Sequence, residues 1–239
     1  RRQRQMCIRD RYDDARELSQ MRLTDVFEVS YEIMDGLIIK SDWSFDLLKV
    51  DEYLFANGRY GDGRRIGGYA NEGGISQTNW LGTQSVQYTP SLPGNHNLNV
   101  FAAYEAQKVK TRTIELQGEG FSHPDLNYAA SAANPTQAYS ARTDYAFQSY
   151  FARANYDFNS EYFASLSVRR DGSSRFGPDK RWGTFYSVGL GWNMTRLIEN
   201  TAFIDFLKLR TSYGETGNAG IGNFDWAGLW GFTRDYDGN

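Results

Sequence analysis

Two histidines, one cysteine and scattered carboxylates are the residues of this sequence with which chemistry could be done. His96 sits in the turn-like run Gly94-Asn95-His96-Asn97, and His123 precedes Pro124. Neither has a nucleophile and an acid at a spacing that would build a hydrolytic triad, so both read as polar loop residues. Cys7 is the sole cysteine, which excludes an internal disulfide and a thiolate metal site. Asp42 and Asp46 fall on one side of an extended segment, with side chains about 13 Å apart at strand rise. Glycosidase pairs stand roughly 5–9.5 Å apart, so these two read as solvated charges. The run Asp235-Tyr236-Asp237-Gly238-Asn239 resembles part of a calcium loop but lacks the ligand spacing and the closing acid. Gly217 to Gly222 does not keep a phosphate-binding spacing between a strand and a helix. The expectation is a protein that is not an enzyme and that uses no metal or cofactor.

The elements that must carry such residues are strands. Aromatics make up 15% of the 239 residues while mean hydropathy is −0.62, so apolar residues must be interleaved with polar ones. Strict alternation recurs in eight runs: 25–33, 37–46, 80–88, 98–107, 149–156, 162–169, 185–193 and 207–214. Met34-Asp35-Gly36 marks a tight hairpin turn. Pro90 to Asn97 and Asp157 to Glu161 mark further short turns. Long connections are expected at 51–78 and 108–144, a polar loop at 171–183, and a short helical piece within 194–206 containing Leu197, Ile198 and Phe203. Turns thus alternate short and long, as they do in outer-membrane barrels.

Charges segregate within these runs. Glu28, Glu32, Lys40, Asp42, Asp46, Glu105, Arg153, Arg169, Lys208 and Arg210 share one alternate face, and from Val26 onward the opposite face of these runs carries none. A face without charge is expected where lipid is the solvent. On that face aromatics bracket the strands: Trp80 with Tyr88, Tyr150 with Tyr156, Tyr186 with Trp192. At the usual rise and tilt such brackets lie roughly 15–20 Å apart along a membrane normal, the arrangement of two interfacial belts. A soluble extracellular β-sandwich would also have one uncharged face, as its core. It must then accommodate Gly82, Gln84, Ala102, Ala152 and Ala154 between large aromatic ends, and two very long connections.

The net charge is −3 with no basic patch of the nucleic-acid kind. Five arginines crowd residues 1–11 without alternation. Residues 1–12 are expected to be foreign to the fold or disordered, with a plain basic tail as the alternative, and 13–239 to form one partial barrel domain. These residues have no apolar leader segment, so the chain is expected to be part of a longer protein.

Several motifs resemble one family. Ser149-Tyr150-Phe151-Ala152-Arg153-Ala154-Asn155-Tyr156 is one. Arg169-Arg170-Asp171-Gly172-Ser173-Ser174-Arg175-Phe176-Gly177 is the most specific, followed by Arg181-Trp182-Gly183-Thr184-Phe185. With Gly189-Leu190-Gly191-Trp192, Phe206-Leu207-Lys208-Leu209-Arg210 and Ser212-Tyr213-Gly214-Glu215-Thr216-Gly217-Asn218, they resemble the SusC/RagA family of TonB-dependent transporters. The resemblance implies an all-β, antiparallel transmembrane barrel of about 22 strands, closed by a plug and resident in the bacterial outer membrane. It implies import of an oligosaccharide or peptide, driven through TonB, with a SusD-like surface lipoprotein as partner. Plug, TonB box and remaining strands are expected outside this sequence. A passive porin-like channel shares every strand signal and is the alternative.

The long connections are the expected binding elements, because binding residues gather on loops held by a rigid scaffold. Tyr53, Phe55, Tyr60, Tyr69, Phe121, Tyr128 and Tyr139 are the aromatics there that could stack on sugars, contact a partner, or pack on one another. The motif loop Arg170, Asp171, Gly172, Ser173, Ser174, Arg175, Phe176 and Gly177 is the other candidate.

Overall fold

A computed structural model of the chain describes residues 14–195, 205–218, 220–223 and 225–227. Eight strands appear in it: β1 (Ala15–Met34), β2 (Leu37–Ala56), β3 (Tyr69–Tyr88), β4 (His96–Glu119), β5 (Asn134–Phe158), β6 (Tyr162–Ser173), β7 (Trp182–Asn193) and β8 (Lys208–Gly214). They hydrogen-bond in sequence order into a single open sheet, antiparallel throughout β5 to β8. The other described elements are short 3-10 turns, and no described helix is long and apolar enough to cross a membrane. Residues 1–13, the expected helical piece around Leu197 and Phe203, and the Asp235–Asn239 run lie outside the described residues.

Each expected run lies on its own strand, with Leu207 just outside β8, but β1 to β5 are far longer than their runs. Most of the expected connections at 51–78 and 108–144 are strand; only 57–68 and 120–133 remain as loops. Likewise β1 begins at Ala15 rather than at Asp25, and the polar loop after β6 shrinks to 174–181. The physical reason is that alternation marks a strand only where its two faces meet different solvents. With water on both sides, the pattern fades while the ladder continues.

Two compact units divide the chain: residues 1–25, 45–80 and 109–144, and residues 26–44, 81–108 and 145–239. β1 to β5 each give the segment nearer a short turn to the second unit and the remainder to the first. In the second unit the short turns are tightly specified. Asn159 and Ser160 both take left-handed conformations (φ 55° and 53°) in the three-residue β5–β6 turn, where the Glu161 N–H donates to the Phe158 carbonyl at 3.0 Å; a left-handed pair of this kind matches the strand twist. That turn is tied to the β3–β4 turn, where the Asn159 N–H donates to the Asn95 carbonyl at 2.8 Å. At the β1–β2 turn Gly36 (φ 76°) accepts the Thr89 N–H at 2.8 Å, and any Cβ there would collide with the Thr89 carbonyl.

The register of β5 to β8 fixes two faces in the second unit. On one lie the rows Ala152–Val168–Tyr186, Ala154–Leu166–Val188–Tyr213 and Tyr156–Ala164–Leu190–Thr211. The other carries Phe151–Arg169–Phe185, Arg153–Ser167–Ser187 and Asn155–Ser165–Gly189–Ser212. Uncharged-face side chains stand open: Leu166 is 54% exposed, Leu190 56% and Tyr213 64%. A β-sandwich would have buried them under a second sheet, and the described strands form only one.

Candidate functional site

The charged face of the second unit is a hydrogen-bonded wall. Lys40 bridges Glu28 at 2.9 Å and Asp42 at 3.0 Å, Asn97 donates to Asp157 at 2.7 Å, and the Ser167 and Ser187 hydroxyls meet at 2.7 Å. Phe101 and Phe151 rings lie 5.9 Å apart on the same side, and the Lys208 ammonium stands 3.5 Å from the Phe163 ring. Asp42 is thus an ion-pair residue, as is Asp46, which in the first unit accepts from Arg22 at 2.8 Å and Thr24 at 2.9 Å.

On the uncharged face the aromatics gather in two rows. Phe158, Tyr162 and Trp192 stack in register beside the short turns, with centroids 6.5 and 6.1 Å apart. His96 opens β4 rather than lying in a turn, and its Nδ1 meets the Tyr156 hydroxyl at 2.6 Å. Toward the 174–181 loop, Tyr104, Tyr150 and Trp182 follow one another at 5.0 and 6.1 Å. Tyr186 and Tyr213 lie 6.3 Å apart.

The motif Arg170–Gly177 is a loop anchor. Its first four residues close β6 and the rest turn the chain. On the charged face Asp171 accepts from the buried Ser149 hydroxyl at 2.5 Å and from Arg169 Nε at 2.7 Å. Ser173 is buried, and its hydroxyl accepts the Arg175 N–H at 3.2 Å. Arg175 then donates to Asn223 at 2.9 Å and lies 3.9 Å over the Tyr145 ring. Gly172 is required because the Trp182 ring lies where its Cβ would be. Two bends of this kind, held by charge-assisted bonds and a cation–π contact, leave the loop little freedom.

In the first unit the expected loop aromatics divide. Tyr53, Phe55, Tyr69 and Tyr139 are on strands, not loops, because β2, β3 and β5 run on past their alternating runs. Phe55, 2% exposed, meets Phe121 edge-on at 5.2 Å and packs with Ala70 and Ala129. The Tyr53 hydroxyl donates to the Asn127 carbonyl at 3.0 Å, and its ring lies 5.7 Å from Tyr128. Burial, with Tyr128 and two glutamates nearby, raises the Tyr53 phenol above its usual pKa and keeps that donor protonated. These contacts clip β2 to the 120–133 loop, and the Gly120 and Phe121 N–H groups on the Gly68 and Gly67 carbonyls tie the 57–68 loop to it. Tyr128 (61%) and Tyr139 (48%) stay exposed, Tyr60 is half-buried, and Tyr69 lines a cleft of about 590 Å³ with Asp14, Arg16 and Asp62.

The sequence reading placed Arg170 in the motif loop and did not foresee the face it takes. Arg170 pairs across with Tyr150 and Thr184, which puts it on the uncharged face, with its guanidinium 5.2 Å from the Trp182 ring. The signal was available: Arg170 continues the even-numbered series Tyr162, Ala164, Leu166, Val168 just past the alternating run.

The model of the family described as TonB dependent receptor-like, beta-barrel, matches residues 9–237. TonB-dependent receptor P3 of Formosa agariphila is 30% identical over 203 residues, 83% of this chain and 20% of that protein. TonB-dependent receptor SusC of Bacteroides thetaiotaomicron is 41% identical over 66 residues, 27% of this chain and 7% of that protein. Among solved structures, the RagAB peptide transporter superposes with a TM-score of 0.82 at 24% identity, over 89% of this chain and 24% of the matched one. The chain therefore spans about a fifth of the length of P3. These relatives are named as receptors, not enzymes. The chain belongs to the TonB-dependent receptor-like β-barrel family.

Proposed function

We propose that this chain is part of the wall of a TonB-dependent importer that moves an oligosaccharide or peptide across the bacterial outer membrane. The observation that carries the reading is the exposed uncharged face between two aromatic rows, backed by a face of ion pairs and hydroxyls. Lipid solvates the first and a wet lumen the second. The peptide transporter named among the structural relatives supports import of a large nutrient; in this reading a SusD-like lipoprotein covers the loop side. In this reading Tyr60, Tyr69, Tyr128 and Tyr139 are the aromatics left to meet substrate or partner. A passive porin-like channel would have the same wall, so uptake itself is the test. The intact protein should support uptake of its nutrient only with TonB and the proton-motive force. Uptake that persists without TonB would refute the import reading and favour the channel.

A further inference from the structure

We propose that Arg170, with Trp182 and Tyr150, holds the phosphate of one lipid on the outside of the wall, with an acyl chain in the groove over Ala102 and Ala152. This rests on the reading of the uncharged face as lipid-facing. Arg170 is the one cation that the β5–β8 register puts on that face among the described residues. It is exposed, and no carboxylate among the described residues bridges to it. Its neighbours across the sheet are Tyr150 and Thr184, and along the strand Val168 and Gly172. Among the described residues that guanidinium has the Trp182 ring, 5.2 Å away, as its partner. A charge so placed on a lipid face is tolerated at the headgroup level, where phosphates are the available counterions. The level fits. Arg170 is in line with the upper aromatic row, eight residues along β6 from the lower row at Tyr162, or roughly 19 Å of depth at the usual rise and tilt. It lies beside the 174–181 loop and away from the short turns, hence in the outer leaflet.

Directly below the cation the surface is hollow. A groove of about 540 Å³ runs between Tyr104, Tyr150 and Val86, with Ala102 and Ala152 as its floor and Arg170 at its rim. Its lining is overwhelmingly apolar, as an acyl chain requires. An aromatic bracket, a small-residue trough and a cation at one end complement a phosphate-headed lipid in both charge and shape. Thr184 and the Tyr150 hydroxyl supply further donors at the same level.

The test uses the intact transporter in vesicles of equal phosphatidylglycerol and phosphatidylcholine, with retained lipid read by native mass spectrometry. Wild type should retain one phosphatidylglycerol in several-fold preference to phosphatidylcholine. Arg170→Gln should abolish that preference, and Arg170→Lys should keep part of it. Ala152→Leu, which fills the trough and leaves the charge, should lower retention of both lipids. Equal retention of the two lipids by wild type would overturn the proposal, as would an unchanged preference in Arg170→Gln. Displacement by millimolar inorganic phosphate would overturn it too, since it would mean that the anion alone is bound. If instead the wild-type protein does not enter vesicles at all, it is the membrane reading that fails.

Discussion

Arginine scanning across the uncharged face should report depth, and the register says where the maximum lies. Leu166 sits four residues from Tyr162 and four from Arg170 along β6, about 13 Å of strand each way or roughly 9 Å of depth at the usual tilt. It pairs with Ala154 and Val188 and is 54% exposed, so an arginine there has lipid on every open side. Leu166→Arg should cost about 2–4 kcal/mol, the midplane value. Leu190 is only two residues from Trp192, roughly 5 Å of depth from the lower aromatic row, and a long side chain can reach the headgroups from there. Leu190→Arg should therefore cost about 1–2 kcal/mol, between the midplane and interface values. Ser187 lies on the opposite face, where its hydroxyl meets that of Ser167 at 2.7 Å and its β8 partner is Gly214, which leaves room. Ser187→Arg loses that one hydrogen bond, about 1 kcal/mol. Reversible urea unfolding of the intact barrel in lipid vesicles measures all three. A larger loss at position 187 than at 166 would show the faces to be inverted, and the membrane argument would fall with them.

Three further outcomes follow from single contacts. Gly82→Val would put a Cβ 2.7 Å from the Trp43 ring; overpacking of this kind costs about 1–3 kcal/mol, and the displaced indole should shift its fluorescence, so an unchanged spectrum and stability would contradict the packing. Asp171→Asn removes the charge that holds Ser149 and Arg169, and limited proteolysis should then nick the 174–181 loop, at a stability cost of about 1 kcal/mol. Phe121→Ala strips the edge contact from Phe55 and should lower stability by up to about 3 kcal/mol, less than for a fully buried phenylalanine, while Tyr139→Ala, exposed on β5, should leave the melting temperature unchanged and alter only ligand or partner binding.

Where a strand faced two solvents, its sequence was legible. The runs at 149–156, 162–169 and 185–193 name the same face-sharing residues that the register of β5 to β7 joins. Asp35-Gly36 announced its turn through the one residue whose missing Cβ spares the Thr89 carbonyl. Legibility stopped where the solvent contrast stopped. Residues 69–79 contain Gly73, Gly74, Glu72 and Gln77 and read as loop, yet they are β3, because the ladder needs only backbone partners. The candidate site shows the same limit. Phe55 and Tyr128 look alike in sequence, but one is 2% exposed and the other 61%. That difference comes from Phe121 and Ala129 of the 120–133 loop closing on Phe55 of β2, positions far apart along the chain with no common period. The facing of Arg170 was hidden for a different reason: a charge one step past an apolar run looks like the end of the uncharged face, when it is its rim.

The glycines inside the strands, which weaken a ladder by themselves, are explained by the rings that lie on them. Trp43 covers Gly82 and Trp182 covers Gly172 on the uncharged face; Phe185 covers Gly183 and Phe163 adjoins Gly191 on the charged one. In Gly172–Trp182 and Phe163–Gly191 the ring and the glycine are cross-strand partners, the pairing in which an aromatic side chain restores the contacts that a glycine lacks. A ring laid over a glycine lies along the sheet instead of standing off it. On the lipid side this keeps an indole at the interface without a protruding ridge. On the charged face, in the proposed import reading, it lets phenylalanines occupy a lumen wall without narrowing the path of the nutrient. A β-branched residue in place of Gly191 would lift Phe163, and with it the Lys208 ammonium that rests on that ring, into the passage. Gly191→Val should therefore slow uptake by the intact transporter more than it lowers stability in vesicles. Equal uptake with lowered stability would mean that the pair serves the fold alone.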